Sequence, residues 1–369
     1  MISSDAYMKD VRDIVAQFPV RAVQLYGATE ENIDAFERFV ENTLAPAGVT
    51  HITVSLYYNF EYRSHPEIVE APFTSVAVAR RMSAVCRRHG ITIVPEMDVP
   101  GHQSTMLVGD KLPKPLGMLR VHPDMQEPYG EGNSTISVCT RHPLLRPIVY
   151  DMIDDLMEAF DTKIVHTGFD EVLDIGKCPR CQSEPPYVLL ADLVNDLNAH
   201  IRSRGGEMWI WGDRLLDGTR FPTANVGYET SLNDTARAVD LISKDVVICD
   251  WHYNEEPMGH LTPSYWATKG FRFLPCAFNS LKGSEQQIRA AYVLKDCPNL
   301  LGTYLTTWSK MSDFIRLVES KIPEYEKTGV IHHDASLETS DSSSAHLFAE
   351  QSSNVFLQMY IPHAKETTP

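Results

Sequence analysis

Eight short runs of apolar, β-branched and aromatic residues recur along the 369-residue chain, most of them separated by helical patterns. That alternation restricts the fold more than any other feature. The runs are VRAVQLYG (20–27), THITVSLYY (50–58), ITIVPEMDV (91–99), KIVHTGFDE (163–171), EMWIWGD (207–213), DVVICDW (245–251), GFRFLPCAF (270–278) and LLGTYLTTW (300–308). Near-continuous apolar runs are what parallel strands need when helices cover both of their faces. Between the first two lies TEENIDAFERFVENTLAP, with Thr29 placed to cap a helix. After the second comes VAVARRMSAVCRRHG, a helical pattern that ends in basic residues and a glycine stop. Eight βα units favour a closed barrel over an open doubly wound sheet. No glycine-rich dinucleotide fingerprint follows the first run, which also counts against a Rossmann domain. The expected fold class is α/β, a single (β/α)8 TIM barrel over residues 1–328. A polar, Ser-rich appendage over 329–369 is expected to pack loosely on it or to be partly disordered.

Composition closes off other classes. A hydrophobic content of 43% with 22% charged residues belongs to a globular chain able to bury a large core. The formal charge of −16 argues against a nucleic-acid partner, which would need concentrated Lys and Arg. The first residues, MISSDAYMKDVRDIV, lack an apolar signal core, and no apolar stretch approaches membrane-spanning length. The expectation is a cytoplasmic chain with no membrane partner, although a secreted chain trimmed of its signal would read the same way. Seven scattered cysteines do not suggest a disulfide framework. The pair in CPRC, Cys178 and Cys181, has no second CxxC to complete a four-ligand zinc site. A reduced pair that packs a loop is the plainer reading; zinc binding and redox chemistry are the alternatives.

The polar and aromatic residues gather at the C-terminal ends of the runs, where barrels of this kind carry their chemistry. The third run ends in Glu96 and Asp98, with His102 following in VPGH. The fourth carries His166 and ends in adjacent Asp170 and Glu171. The fifth ends in Trp211 and Asp213, the sixth in Trp251, His252 and Tyr253, and the eighth in Trp308. Each has a structural reading: a hydrogen-bonded core histidine for His166, a braced turn for Asp98 and His102, core packing for the tryptophans. Two adjacent buried acids are harder to dismiss, because burying both without a role is costly. In one cleft their proton affinities must separate, which makes one of them a candidate acid.

These residues carry a resemblance. HTGFDEV resembles the H-x-G-G-D-E-V signature of glycoside hydrolase family 20, the β-N-acetylhexosaminidases. VPEMDVPGHQS is similar to that family's I-P-E-I-D-x-P-G-H segment, and GTYLTTWS to its Trp-bearing last strand. In order and strand placement the likeness spans about residues 20 to 310. It implies retaining, substrate-assisted hydrolysis of terminal β-linked N-acetylhexosamines, in which the 2-acetamido carbonyl attacks the anomeric carbon and gives an oxazolinium. It also implies Glu171 as general acid and Asp170 as the group that orients the acetamido. His102, backed by Asp98, would tune Glu171, and His166 would hold the strand end and belong to the substrate-binding residues. Trp211, Trp251 and Trp308 would form the acetamido pocket and sugar platform, with Arg21 binding sugar hydroxyls. No cofactor and no catalytic metal are implied, and the partner is a glycan ending in N-acetylhexosamine.

Several positions depart from the pattern. Phe169 stands where the motif has its second glycine. The second run leads into SLYYNFEYRSHPE rather than an Asp pair, so Asn59 or Glu61 is expected to take over part of that network. CAFNS lacks the usual strand-seven tyrosine, a role for which Tyr253 is the substitute, and no α/β domain precedes the barrel in these residues. Two other readings remain open. A metal-dependent sugar isomerase or epimerase barrel could take Glu96, Asp98, His102, His166, Asp170 and Glu171 as ligands. A barrel that binds sugar without turning it over is the other. Sensitivity to a chelator separates the first, and sugar binding without hydrolysis the second.

Overall fold

A computed structural model describes residues 10–331 and 344–363, apart from 109, 110, 222, 224 and 258. Its eight strands are β1 (Val20–Tyr26), β2 (His51–Ser55), β3 (Thr92–Val99), β4 (Ile164–Gly168), β5 (Glu207–Trp211), β6 (Val247–Trp251), β7 (Arg272–Ala277) and β8 (Gly302–Leu305). Every strand pairs in parallel with its sequence neighbours, and β8 closes on β1 through Val20 opposite Gly302 and Val23 opposite Leu305. This is the (β/α)8 barrel expected from the eight runs. Six of the runs extend past their strands at the C-terminal end, while β3 and β6 end with their runs at Val99 and Trp251.

The helices that cover the barrel follow their sequence signals in most places. The helix Val76–Arg88 is capped by Ser75, whose hydroxyl accepts the Val78 N–H, and it ends in Arg87 and Arg88 before Gly90. Thr29 is not a cap: the helix Ile33–Phe39 begins after Asn32, whose side chain instead accepts the Thr29 N–H. Between β5 and β6 the described residues contain no α-helix, only the 3-10 turns Asp213–Leu215 and Ala236–Asp240. The long connection from β3 to β4 is mostly irregular before the helix Leu145–Phe160, as its Pro- and Gly-rich sequence suggests.

The C-terminal segment corrects an expectation. Residues 332–343 of the Ser-rich stretch lie outside the described residues, but Ser344–Tyr360 is a helix packed tightly on the barrel. Val355, Phe356, Leu357, Met359 and Tyr360 are buried, each such side chain contributing roughly 1.5–3 kcal/mol. Phe356 lies within 6.4 Å of Phe39 and 5.9 Å of Phe314, and the Tyr360 hydroxyl donates to the Ala22 carbonyl of β1. Three polar residues of this helix, Glu350, Ser352 and Ser353, are buried with partners. Ser352 and Ser353 donate to carbonyls of the preceding turn, and Glu350 pairs with Lys321 at 2.7 Å. Among the described residues no helix is long and apolar enough to cross a membrane.

Candidate active site

Barrel closure brings the C-terminal strand ends together around a cavity of about 540 Å3. His102, Asp170, Glu171, Trp211, Trp251, Tyr253 and Trp308 all line it. The backbone there is strained in one consistent way. Tyr57, His102, Glu171 and Trp308 hold φ values between 43° and 51°, in the left-handed region that costs a side-chain-bearing residue about 1–2 kcal/mol. Strain of this kind persists where surrounding structure fixes the residue, and it concentrates at functional sites. Phe169 belongs to the same set, with φ 76°, which explains why the family motif has glycine there. In this chain a buried phenylalanine takes the conformation, and its N–H donates to Asp98 Oδ1 at 3.2 Å. The preceding Gly168 has no such freedom: a Cβ there would sit 2.0 Å from that same Asp98 oxygen.

Beneath the cavity floor runs a chain of hydrogen bonds that links five strands. Gln24 Oε1 accepts the N–H groups of Thr307 and Trp308, and Gln24 Nε2 donates to Ser55 Oγ at 2.8 Å. Ser55 donates in turn to Glu96, whose other oxygen accepts Trp211 Nε1 at 3.1 Å. Burial outweighs these donors and lifts the Glu96 carboxyl to about 8. His166 is fully buried behind Trp211, with ring centroids 4.5 Å apart and Nδ1 3.7 Å from Glu96, and burial lowers it to about 3. It therefore supports the floor as a neutral ring and does not line the cavity, so substrate contact by His166 is withdrawn.

Glu96 sets a pH dependence of stability. Between its ordinary value of 4.5 and about 8, only the folded chain keeps the proton, so stability falls as pH rises through this window. Glu96→Gln removes that dependence. Its melting temperature relative to wild type should rise from about pH 5 to about pH 9, measured by thermal unfolding. A constant offset across that range would contradict the assignment.

Above the floor, four ionisable groups form one electrostatic unit. His102 Nε2 faces Asp170 Oδ2 at 3.1 Å and Glu171 Oε2 at 3.7 Å. Burial alone would depress the ring, but the carboxylates of Asp170, Asp98 and Glu171 prevail and hold His102 well above its ordinary value. Asp98 Oδ2 and Asp170 Oδ1 are both buried and receive no donor from elsewhere in the protein, and one proton held between them satisfies both. Burial and the neighbouring Asp170 push Asp98 up, so the proton resides there. Burial also acts to raise Asp170, yet the charge of His102 and the hydrogen bonds from His102 and Asp98 bring it below its ordinary value. Burial thus favours the proton on Asp98, while His102 and Asp98 together favour the ionised form of Asp170.

Glu171 is held separately. Its Oε2 accepts Ser134 Oγ at 2.8 Å, and its N–H donates to Asp213 Oδ2 at 2.9 Å. Asp213 also takes Arg214 Nε at 2.6 Å and Trp251 Nε1 at 3.1 Å, which orients the Trp251 ring along the cavity wall. Opposite, Trp308 Nε1 donates to the Tyr253 hydroxyl at 2.9 Å, which also lies 3.2 Å from Thr306 Oγ1. Trp211 stacks on Tyr304 below and meets Trp308 at 5.7 Å. Asp170 and Glu171 thus face an aromatic-walled cleft that can hold a small, partly apolar ring.

Arg21 is elsewhere. It occupies the second position of β1, at the N-terminal end of the barrel, where its guanidinium donates to the carbonyls of Gly48 and Phe18 at 2.5 Å. A sugar in the cavity is out of its reach, so the expected role in binding hydroxyls is withdrawn. Asn59 does line the cavity, whereas Glu61 accepts the Val76 N–H at the start of a helix. Tyr26, Tyr57, Tyr58, Phe278 and Phe348 also line it without having been singled out by sequence, and the Ser134 contact to Glu171 was not anticipated either.

A parallel barrel with a carboxylate pair and an aromatic cleft at its C-terminal strand ends is an arrangement that suits glycoside hydrolysis. Residues 60–281, more than half of the chain, match the model of the glycosyl hydrolase family 20 catalytic domain. The chain belongs to glycosyl hydrolase family 20. A beta-hexosaminidase of Akkermansia muciniphila is 28% identical over 122 residues, covering 32% of this chain and 24% of that protein. Beta-hexosaminidase subunit A2 of Dictyostelium discoideum is 22% identical over 199 residues, covering 50% and 35%. The similarity thus spans a quarter to a third of the length of these curated relatives. Among solved structures, a β-N-acetylhexosaminidase from Bacteroides fragilis superposes with a TM-score of 0.57 at 15% identity, over 95% of this chain and 67% of that one. The GH20 exo β-N-acetylglucosaminidase of Vibrio harveyi, solved with N-acetylglucosamine, gives 0.53 at 15%, over 95% and 55%. At such identities the likeness is one of fold.

Proposed function

We propose that the chain is a retaining exo-β-N-acetylhexosaminidase that removes terminal β-linked GlcNAc or GalNAc by substrate-assisted catalysis. The observation that carries this reading is that two adjacent acids at one cavity wall are fixed by different partners. Asp170 is kept ionised by His102 and Asp98, and Glu171 is held apart by Ser134. An ionised Asp170 accepts the acetamido N–H, turns the carbonyl oxygen toward the anomeric carbon and offsets the positive charge that develops on nitrogen. Glu171 protonates the leaving oxygen and then, as its carboxylate, takes the proton of the water that opens the oxazolinium. The Tyr253 hydroxyl, which lines the cavity, would donate to the acetamido oxygen, and Trp211, Trp251 and Trp308 would enclose the methyl group and the sugar face. His102 and Asp98 set the charge of Asp170 and, through His102, the setting of Glu171.

The test is a screen of aryl N-acetyl-β-glucosaminide and galactosaminide against the plain glucoside and galactoside. Turnover confined to the N-acetyl pair supports the mechanism. Comparable rates on sugars without the acetamido group would exclude it, and sugar binding without turnover would point to a barrel that only binds. Phe348 offers a finer check, since it reaches the cavity from the C-terminal helix and packs on Phe278 at 5.1 Å. Phe348→Ala should raise KM severalfold while kcat stays close to wild type, because it forms wall and touches no reacting atom. A matching loss in kcat would give the wall a larger part in the chemistry.

A further inference from the structure

Beside the candidate active site, the two loops that carry its chemistry meet at a second cluster. Glu127 and Cys139 come from the β3–β4 connection, and Cys178 and Cys181 from the segment that follows Glu171. Cys178 Sγ lies 3.2 Å from both Cys139 Sγ and Cys181 Sγ, and Cys181 Sγ lies 2.8 Å from Glu127 Oε1. One ligand atom from each of the four residues falls within 4.8 Å of all the others, and all four residues are buried. We propose that this cluster is a structural zinc site, with Cys139, Cys178, Cys181 and Glu127 as its four ligands.

Three observations support the assignment. The set is three thiols and one carboxylate, the donors that favour tetrahedral zinc over hard cations. Sulfurs around such an ion stand about 3.8 Å apart for Zn–S bonds of about 2.3 Å, a span this cluster accommodates with small shifts. Second, Glu127 is a fully buried carboxylate with no Lys, Arg or His in ion-pair range among the described residues. Lys177 pairs with Asp174, and Arg180 with Asp124. A buried anion without a cation is costly, and a divalent ion supplies what is missing. Third, the backbone already shapes the site as a closed one. Glu127 Oε2 accepts the N–H groups of Lys177 and Cys178 at 3.0 and 2.8 Å, which orients Oε1 toward the thiols. Glu127 and Cys139 are themselves tied by ladder bonds, Glu127 N–H to Ser137 and Cys139 N–H to Met125. All four positions are filled by protein, so the ion would be structural and leave no open position for substrate.

The consequence is mechanical. Ser134, whose hydroxyl holds Glu171, lies between Glu127 and Cys139 in the chain, so zinc would fix the β3–β4 loop against the β4 loop beside the acid. The CPRC pair, for which the sequence offered no second CxxC, would gain Cys139 and Glu127 as its remaining partners, 39 and 51 residues from Cys178.

The test measures metal in the full-length chain, purified without chelator from zinc-supplemented medium, and needs no substrate. Elemental analysis should give about one zinc per chain in wild type and in Cys297→Ser, which leaves the cluster intact. The double variant Cys139→Ser/Cys181→Ser should fall below about a tenth of that. Zinc retained in the double variant would overturn the site. So would metal-free wild type, in which thiol counting in denaturant separates the alternatives: seven reactive thiols mean a plain thiol cluster, and five a disulfide. A chain that binds zinc but hydrolyses no N-acetyl sugar would leave this site standing and remove the proposed activity.

Discussion

Glu171→Gln is expected to slow hydrolysis of aryl N-acetyl-β-glucosaminides with poor leaving groups by roughly 10²–10⁴, the span of general acid–base catalysis. The amide is nearly isosteric and can still meet Ser134 Oγ, so the fold and the substrate site should survive. What disappears is a proton for the departing oxygen. A dinitrophenyl glycoside scarcely needs that proton, so its rate of glycosylation should fall far less. Plotting rate against leaving-group pKa should therefore give a much steeper line for the variant than for wild type. Equal losses on all leaving groups would assign Glu171 to another step.

The second large effect lies one residue earlier and has the opposite signature. Asp170→Asn should slow good and poor leaving groups alike, by about 10²-fold or more, because it disturbs the attack of the acetamido oxygen and the charge that attack creates. The side chain sits between the His102 ring and the Asp98 carboxyl, and removing its charge leaves the imidazolium with less compensation. The His102 pKa should fall in the variant, as NMR titration of the ring would show. A thiazoline that mimics the oxazolinium should bind wild type tightly and the variant weakly, since it resembles the species that Asp170 stabilises. Identical leaving-group dependence in Asp170→Asn and Glu171→Gln would mean that the two roles are misassigned.

Strand order and the site's location were legible for one reason. Strands buried on both faces are mostly apolar, so chemistry-bearing residues gathered toward the ends of the runs mark the end of the barrel that carries the site. Asp170, Glu171, Trp211, Trp251 and Trp308 follow that rule. Arg21 obeys it too, but in reverse: as the second residue of its run it marks the opposite end of the barrel, and position within the run tells against a sugar contact. Ser134, Phe348 and the Asp213 bridge to Trp251 were not legible. Each depends on a contact between segments 37 or more residues apart, or on a loop with no periodic pattern. The C-terminal helix misled for a different reason. Its serines satisfy themselves on their own backbone and Glu350 meets Lys321, so residues counted as surface are interior.

That helix also sets the order in which the molecule can become whole. The Tyr360 hydroxyl reaches the Ala22 carbonyl across 338 positions, and the β1–β8 seam joins the two ends of the barrel sequence. Contacts of such separation are the costliest to close and the slowest to form. During synthesis β1 must wait, with one edge unpaired, until β8 and then the final helix leave the ribosome. A chain stopped after Gly329 would keep every residue assigned here to the chemistry yet lose the cover over its seam. Such a nascent or truncated species is the form in which this barrel is most exposed to edge-to-edge aggregation.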